Sequence, residues 1–151
     1  MSGAANRAAA PQGPNPVALK LGYAGLLPFV LGAALVWLVH RQVVPHVAGP
    51  LAVYAGMVLA SLGGVHWGLG MRQAVPSPAL YAWGVVPALV GWVAVVMPPH
   101  AGLVVLGVML VACYAVDRRV YPRHGAASWL VLRFRQTAVG SLSCFLAAAG
   151  T

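Results

Sequence analysis

Acidic residues are almost missing from this chain. One aspartate, Asp117, and no glutamate stand against nine lysine and arginine residues. Catalysis by a pair of carboxylates is therefore excluded, since no second acid exists to share the work. Charge of either sign is scarce, at 7% of 151 residues. A soluble domain carries roughly a quarter of its residues charged, so this chain has too little charge to cover itself in water. Two cysteines, Cys113 and Cys144, lie in apolar stretches without a Cys-x-x-Cys pattern, which removes zinc-motif and redox-motif readings. Period-two alternation is absent as well, and open sheets cannot sit in lipid.

What remains is apolar sequence. Hydrophobic residues make up 61% of the chain. They gather in five runs, at about residues 21–39, 51–71, 79–96, 102–116 and 129–149. Most approach the ~20 residues that a helix needs to cross ~30 Å of hydrocarbon. The expectation is an all-α integral membrane protein, a bundle of five transmembrane helices forming one domain over residues 19–151. Residues 1–18, rich in Ala, Pro, Gly and Asn, read as a disordered cytoplasmic tail. Short connections make consecutive helices antiparallel neighbours.

The basic residues orient this bundle. With five spans, Arg7, Lys20, Arg72, Arg118, Arg119, Arg123, Arg133 and Arg135 fall on one side and Arg41 on the other. Basic residues stay on the cytoplasmic side during insertion. The N-terminus is thus expected in the cytoplasm, the C-terminus outside, and the setting is a bacterial inner membrane. The net charge of +8 then serves topology and attraction to anionic lipid headgroups on the cytoplasmic side. Nucleic acid is not expected as a partner, because no basic patch accompanies a recognition fold.

Few polar residues lie within the spans. His66 sits in GGVHWG (Gly63 to Gly68), about 9 Å from the interface at helical rise. An ionisable group at that depth faces the bundle interior and finds a partner. The small-residue stripe Gly56, Ala60, Gly64 and Gly68 runs beside it and suits close helix packing. Asp117 closes the fourth span in CYAVDRR. Its neighbours Arg118 and Arg119 point to different sides of the helix, so Arg133 and Arg135 of the fifth span are at least equal partners. Gln136 joins the same leaflet, together with Thr137, and Trp67 adjoins His66. Pro28 and Pro87 are expected to kink their helices and free the carbonyls of Ala24 and Trp83. Gly25-x-x-Pro28-x-x-x-Gly32 and Gly84-x-x-Pro87-x-x-x-Gly91 echo each other. Tyr23, Trp37, Tyr54, Tyr81, Trp83 and Trp129 read as interfacial anchors. The candidate polar site comprises His66, Trp67, Asp117, Arg133, Arg135 and Gln136, with no catalytic set, metal motif or cofactor.

Five strings occur in order: LGYAGLLPF (Leu21 to Phe29), SLGGVHWG (Ser61 to Gly68), WGVVPALVGW (Trp83 to Trp92), YAVDRR (Tyr114 to Arg119) and LRFRQTAV (Leu132 to Val139). Together they make the chain similar to the domain-of-unknown-function 3429, or transmembrane protein 69, family of small uncharacterised membrane proteins. The resemblance spans about residues 21–149. It implies a five-span bundle and brings no activity with it. Two functional readings stay open. One is a non-enzymatic accessory, assembly or scaffolding component that packs against a membrane-protein partner or a second copy. The other is a small transporter, or a quinone-, lipid- or proton-binding protein, with a polar site around His66.

Overall fold

The computed structural model describes residues 13–75 and 77–151. Its helices are α1 (Pro16–Ala24), α2 (Leu27–Leu38), α3 (Val44–Met71), α4 (Pro78–Val96), α5 (Pro99–Val120) and α6 (Leu130–Gly150). Two short 3-10 turns, Pro122–His124 and Ala127–Trp129, join α5 to α6. Among the described residues there is no strand. Residues 1–12 of the expected tail, Arg7 among them, lie outside the described residues.

Proline marks the start of five of these helices. Pro16, Pro28, Pro45, Pro78 and Pro99 each occupy the first or second helical position. There the missing N–H costs nothing and the fixed φ suits the helix. The chain between α4 and α5 is extended at Met97, with ψ 163°, as expected of a residue before proline. Between α5 and α6, Gly125 takes φ 73°, a left-handed conformation open to glycine at little cost.

Several boundaries differ from the apolar runs. Helix α1 begins at Pro16, with the Asn15 side chain accepting from the Val17 N–H, so residues 16–18 are helical. Pro50, expected in a loop, lies inside α3, and α5 continues through both arginines to Val120. Four rods are long and apolar enough to cross a membrane by length and composition: Pro16–Leu38, Val44–Met71, Pro78–Val96 and Pro99–Val120. Helix α6 has the length, 21 residues or about 31 Å at helical rise. It carries Arg133, Arg135 and Gln136 in its first two turns, which dilutes its apolar character.

The first rod breaks at Gly25 and Leu26. The Tyr54 hydroxyl of α3 donates to the Gly25 carbonyl at 2.7 Å. The carbonyl captured is thus Gly25's, one residue beyond the expected Ala24, and Tyr54 is half-buried inside the bundle instead of anchoring an interface. The second proline behaves differently. Pro87 is fully buried, and α4 runs unbroken past it, so the two echoed motifs do not build equivalent helices.

Helices α3 and α4 pack most closely. A Cβ on Gly63 would strike the Gly84 carbonyl, and one on Gly84 would strike the Trp67 ring. Two turns away, a Cβ on Gly91 would come within 3.2 Å of the Gly56 backbone. The contact stripe is therefore Gly56 and Gly63, seven apart, against Gly91 and Gly84 in antiparallel register. A Cβ on Gly64 or Gly68 of the expected stripe would meet no atom of another described element within 4 Å, and both face outward. Helix α6 runs parallel to the first rod: Gly22 lies beside Leu132 and Gln136, and Gly150 beside Val36 and Trp37.

The apolar core includes Phe29, Leu51, Leu59, Leu103, Leu106, Leu110 and Cys144. Large apolar side chains also cover the outside, such as Leu31, Trp92 and Leu142. In lipid such a surface needs no cover. The close α3–α4 approach sets a first test. Gly63→Ala should lower the thermal stability of the detergent-solubilised protein, by about 1–3 kcal/mol as for other overpacked sites. Gly64→Ala, one residue on, should leave it unchanged or raise it slightly. Equal behaviour of the two variants would contradict the packing described.

Candidate functional site

Three helices bring ionisable side chains to one point. His66 comes from α3, Asp117 from the last turn of α5 and Arg133 from the first turn of α6. Asp117 and His66 are each 1% exposed, and Arg133 is 6% exposed. Arg133 Nε donates to Asp117 Oδ2 at 2.9 Å, and Arg133 Nη2 lies 2.8 Å from the same oxygen. On the other side of the carboxylate, His66 Nε2 lies 3.4 Å from Asp117 Oδ1. His66 Nδ1 is 3.2 Å from the Leu62 carbonyl of its own helix. A ring N–H at Nδ1 donates to that carbonyl, which in a neutral ring leaves Nε2 as the acceptor; a protonated ring donates from both nitrogens.

A second tier surrounds this core. Arg133 Nη1 reaches Gln136 Oε1 at 3.5 Å. The Gln136 amide donates to the Gly22 carbonyl at 3.0 Å, tying α6 to α1 next to the break. Tyr121, just beyond α5, is buried, with its ring centroid 6.3 Å from that of His66. Burial, and then the nearby Asp117 charge, push its phenol up to about 12, so it stays neutral across the physiological range. Thr137 is 5% exposed, and its hydroxyl has no partner among the described residues.

Cavities reach the cluster from both sides. One of about 180 Å³ lies against the α1–α2 break and is lined by Arg133, Gln136, Thr137, Tyr54 and Phe29, among others. A second of about 430 Å³ lies between α4 and α5, where His66 meets Trp83, Arg123 and His124. The cluster thus forms a polar partition, with Arg133 facing one space and His66 the other.

Of the residues expected at the site, His66, Asp117, Arg133 and Gln136 are brought together. Trp67 and Arg135 are not. Trp67 sits about 100° round the helix from His66, where its indole donates to the Tyr81 carbonyl at 3.1 Å and its ring meets Tyr81 edge-on. Arg135 is exposed and donates to the Tyr23 hydroxyl at 2.8 Å. Its two-residue offset from Arg133 turns it to another face of α6. The sequence reading missed Tyr121 and the Tyr54–Gly25 bond. An aromatic residue just past a span has an interfacial reading by default, and no sequence signal separates the two. Among the described residues no group of three or more His, Cys, Asp or Glu side chains gathers to hold a metal ion.

A family model described as a protein of unknown function, DUF3429, matches residues 14–149. A relative named transmembrane protein 69, from Xenopus tropicalis, is 36% identical over 125 residues. That match covers 77% of this chain and 46% of the relative, so the chain spans about half the relative's length. No solved structure matches the chain.

The ion pair yields a prediction with a sign. Arg133→Leu leaves Asp117 without its hydrogen-bonded cation and should cost about 3–5 kcal/mol of stability, the usual cost of halving a buried pair. Adding Asp117→Leu to Arg133→Leu should recover much of that loss. Arg135→Ala, at the exposed bond, should cost less than about 1 kcal/mol. Additive losses in the double variant, read from melting in detergent, would mean that the pair is not coupled.

Proposed function

The chain belongs to the DUF3429 family of proteins of unknown function, and from that premise we propose a ligand-binding membrane protein with five spans. The N-terminus lies in the cytoplasm, the C-terminus outside, and the protein resides in a bacterial cytoplasmic membrane. The cluster of His66, Asp117 and Arg133 is its binding site, in the cytoplasmic leaflet. The observation that carries this reading is the pair of cavities opening onto one buried charge cluster. A cluster that merely braced helices would gain nothing from space beside it, because a void forfeits contacts.

Topology rests on the charge distribution. Near the cluster, α1, the end of α3, the end of α5 with the turn after it, and the start of α6 carry Lys20, Arg72, Arg118, Arg119, Arg123, Arg133 and Arg135, while Arg41 lies at the opposite end with His100. Helix α6 counts as a span because its arginine nearest the bundle axis is paired inside the protein. Lipid there meets Val131, Phe134, Leu142 and Leu146 instead.

A second reading, an accessory or scaffolding component, has its own support. Gly64 and Gly68 face outward with nothing near them, and small residues allow another helix to approach. Under this reading a partner chain or second copy covers α3 there.

Two measurements separate these possibilities. Alkaline phosphatase fused after Thr151 should be active and a fluorescent protein fused there dark; the reverse result rejects the fifth span. For the site, a membrane polar-lipid extract and decylubiquinone should be added to detergent-purified protein during melting. A ligand at about 100 times its dissociation constant stabilises by about 2.7 kcal/mol. A rise in melting temperature that disappears in His66→Ala, itself folded, supports a binding site. If neither probe shifts the melt, and Gly68→Leu instead strips off a copurifying protein, the scaffolding reading holds.

A further inference from the structure

The smaller cavity has a chemical bias. Its polar groups are mostly spoken for. The Tyr54 hydroxyl donates to Gly25, the Gln136 amide to Gly22, and the Ser61 hydroxyl to the Val58 carbonyl 2.7 Å away. Two groups are not. Among the described residues the buried Thr137 hydroxyl has no partner, and a buried polar group left so costs about 1–3 kcal/mol. Arg133 has five N–H donors; Nε donates to Asp117 and Nη1 to Gln136, while Nη2, though 2.8 Å from Asp117 Oδ2, has no hydrogen-bond partner among the described residues. The free charged donor of this wall is thus the Arg133 guanidinium, and beside it the Thr137 hydroxyl can donate as well.

A guanidinium with spare N–H groups beside an unpaired hydroxyl suits a guest with several strong acceptor oxygens. The surroundings select its charge. Lys20, Arg135 and the other cations of this end create a positive field, and the chain's sole acid is shared between His66 and Arg133. Opposite the donors the wall is apolar, formed by Leu21, Leu26, Phe29 and Leu110. At about 180 Å³ the space is smaller than the 300 Å³ or more typical of a whole-ligand pocket. It holds a headgroup and the first few methylenes, with the remainder of the chain in the membrane.

We infer that the cavity beside the α1–α2 break binds the anionic headgroup of an amphiphile, a carboxylate or a phosphate ester, between Arg133 and Thr137. This rests on the site reading above and names its ligand. The anion takes the spare guanidinium N–H groups and the Thr137 hydroxyl, and the acyl chain leaves past Leu21 and Leu26. Asp117 keeps Arg133 in place while the guest binds its other edge. Arg133 already stands at the cavity wall, so entry requires no rotation of the guanidinium.

Native mass spectrometry from nanodiscs tests this, with the full chain and five probes: oleate, dioleoyl-phosphatidylglycerol, dioleoyl-phosphatidylcholine, decylubiquinone and inorganic phosphate. One oleate or one phosphatidylglycerol should be retained per chain. Thr137→Leu, which fills the cavity, should weaken retention at least tenfold. Thr137→Val, nearly isosteric, should weaken it severalfold, and its unchanged circular dichroism guards against misfolding. Arg41→Gln, at the opposite end of the bundle beside His100, should retain the anion as the wild type does; loss there would mean nonspecific surface charge and overturn the inference. Retention of decylubiquinone or phosphatidylcholine in a Thr137-dependent way would overturn the anionic assignment while leaving a binding site. Displacement of oleate by inorganic phosphate at equal concentration would overturn the amphiphile. If no probe depends on Thr137, the binding-site reading fails for this cavity along with the inference.

Discussion

A single carboxylate shared by an imidazole and a guanidinium organises one end of this bundle. Asp117 is the only acid in the chain, and it lies where water is scarce and attraction between charges is least screened. Helix dipoles do not favour its position. Asp117 is in the last turn of α5 and Arg133 in the first turn of α6, each at the end that its charge disfavours. Direct pairing at 2.8 to 2.9 Å overrides both effects. His66 Nε2 approaches the other oxygen at 3.4 Å, so three helices converge on one residue.

The glycine packing of α3 on α4 depends on the same helix face. Leu59, Gly63, His66 and Gly70 are all buried on α3. Gly63 admits the α4 backbone one turn before His66, and Gly70 takes the Tyr81 ring one turn after it. Close contact on either side holds the imidazole at the level of Asp117. Where α4 and α5 diverge, the larger cavity opens onto it. Where the first rod breaks, the smaller one opens onto Arg133. Tight packing and open space alternate around the cluster.

Much of this was legible in the sequence, for reasons that can be stated. The burial of His66 follows from its polarity in an apolar run, which demands a partner. Asp117 could be separated from Arg118 and Arg119 because adjacent residues diverge on a helix. The choice between Arg133 and Arg135 could not be made, since it depends on the rotation of α6 about its own axis. The same ambiguity put Trp67 with His66, and it put Gly64 and Gly68 on the packed face. Both candidate glycine stripes start at Gly56, one repeating every four residues and one every seven. The pair Gly84 and Gly91 on α4, also seven apart, selects the second. Thr137 carried no signal beyond its leaflet, because a missing hydrogen bond is a property of the folded chain.

The pairing of α5 with α6 also makes the end of the chain self-sufficient in charge. Asp117 and Arg133 are 16 residues apart in sequence and joined through two short turns. Either one buried alone would leave an uncompensated charge, at a cost of about 3–5 kcal/mol. Paired within one hairpin, each meets its counter-charge on the neighbouring helix. Only the imidazole of His66 has to be brought from a distant part of the chain.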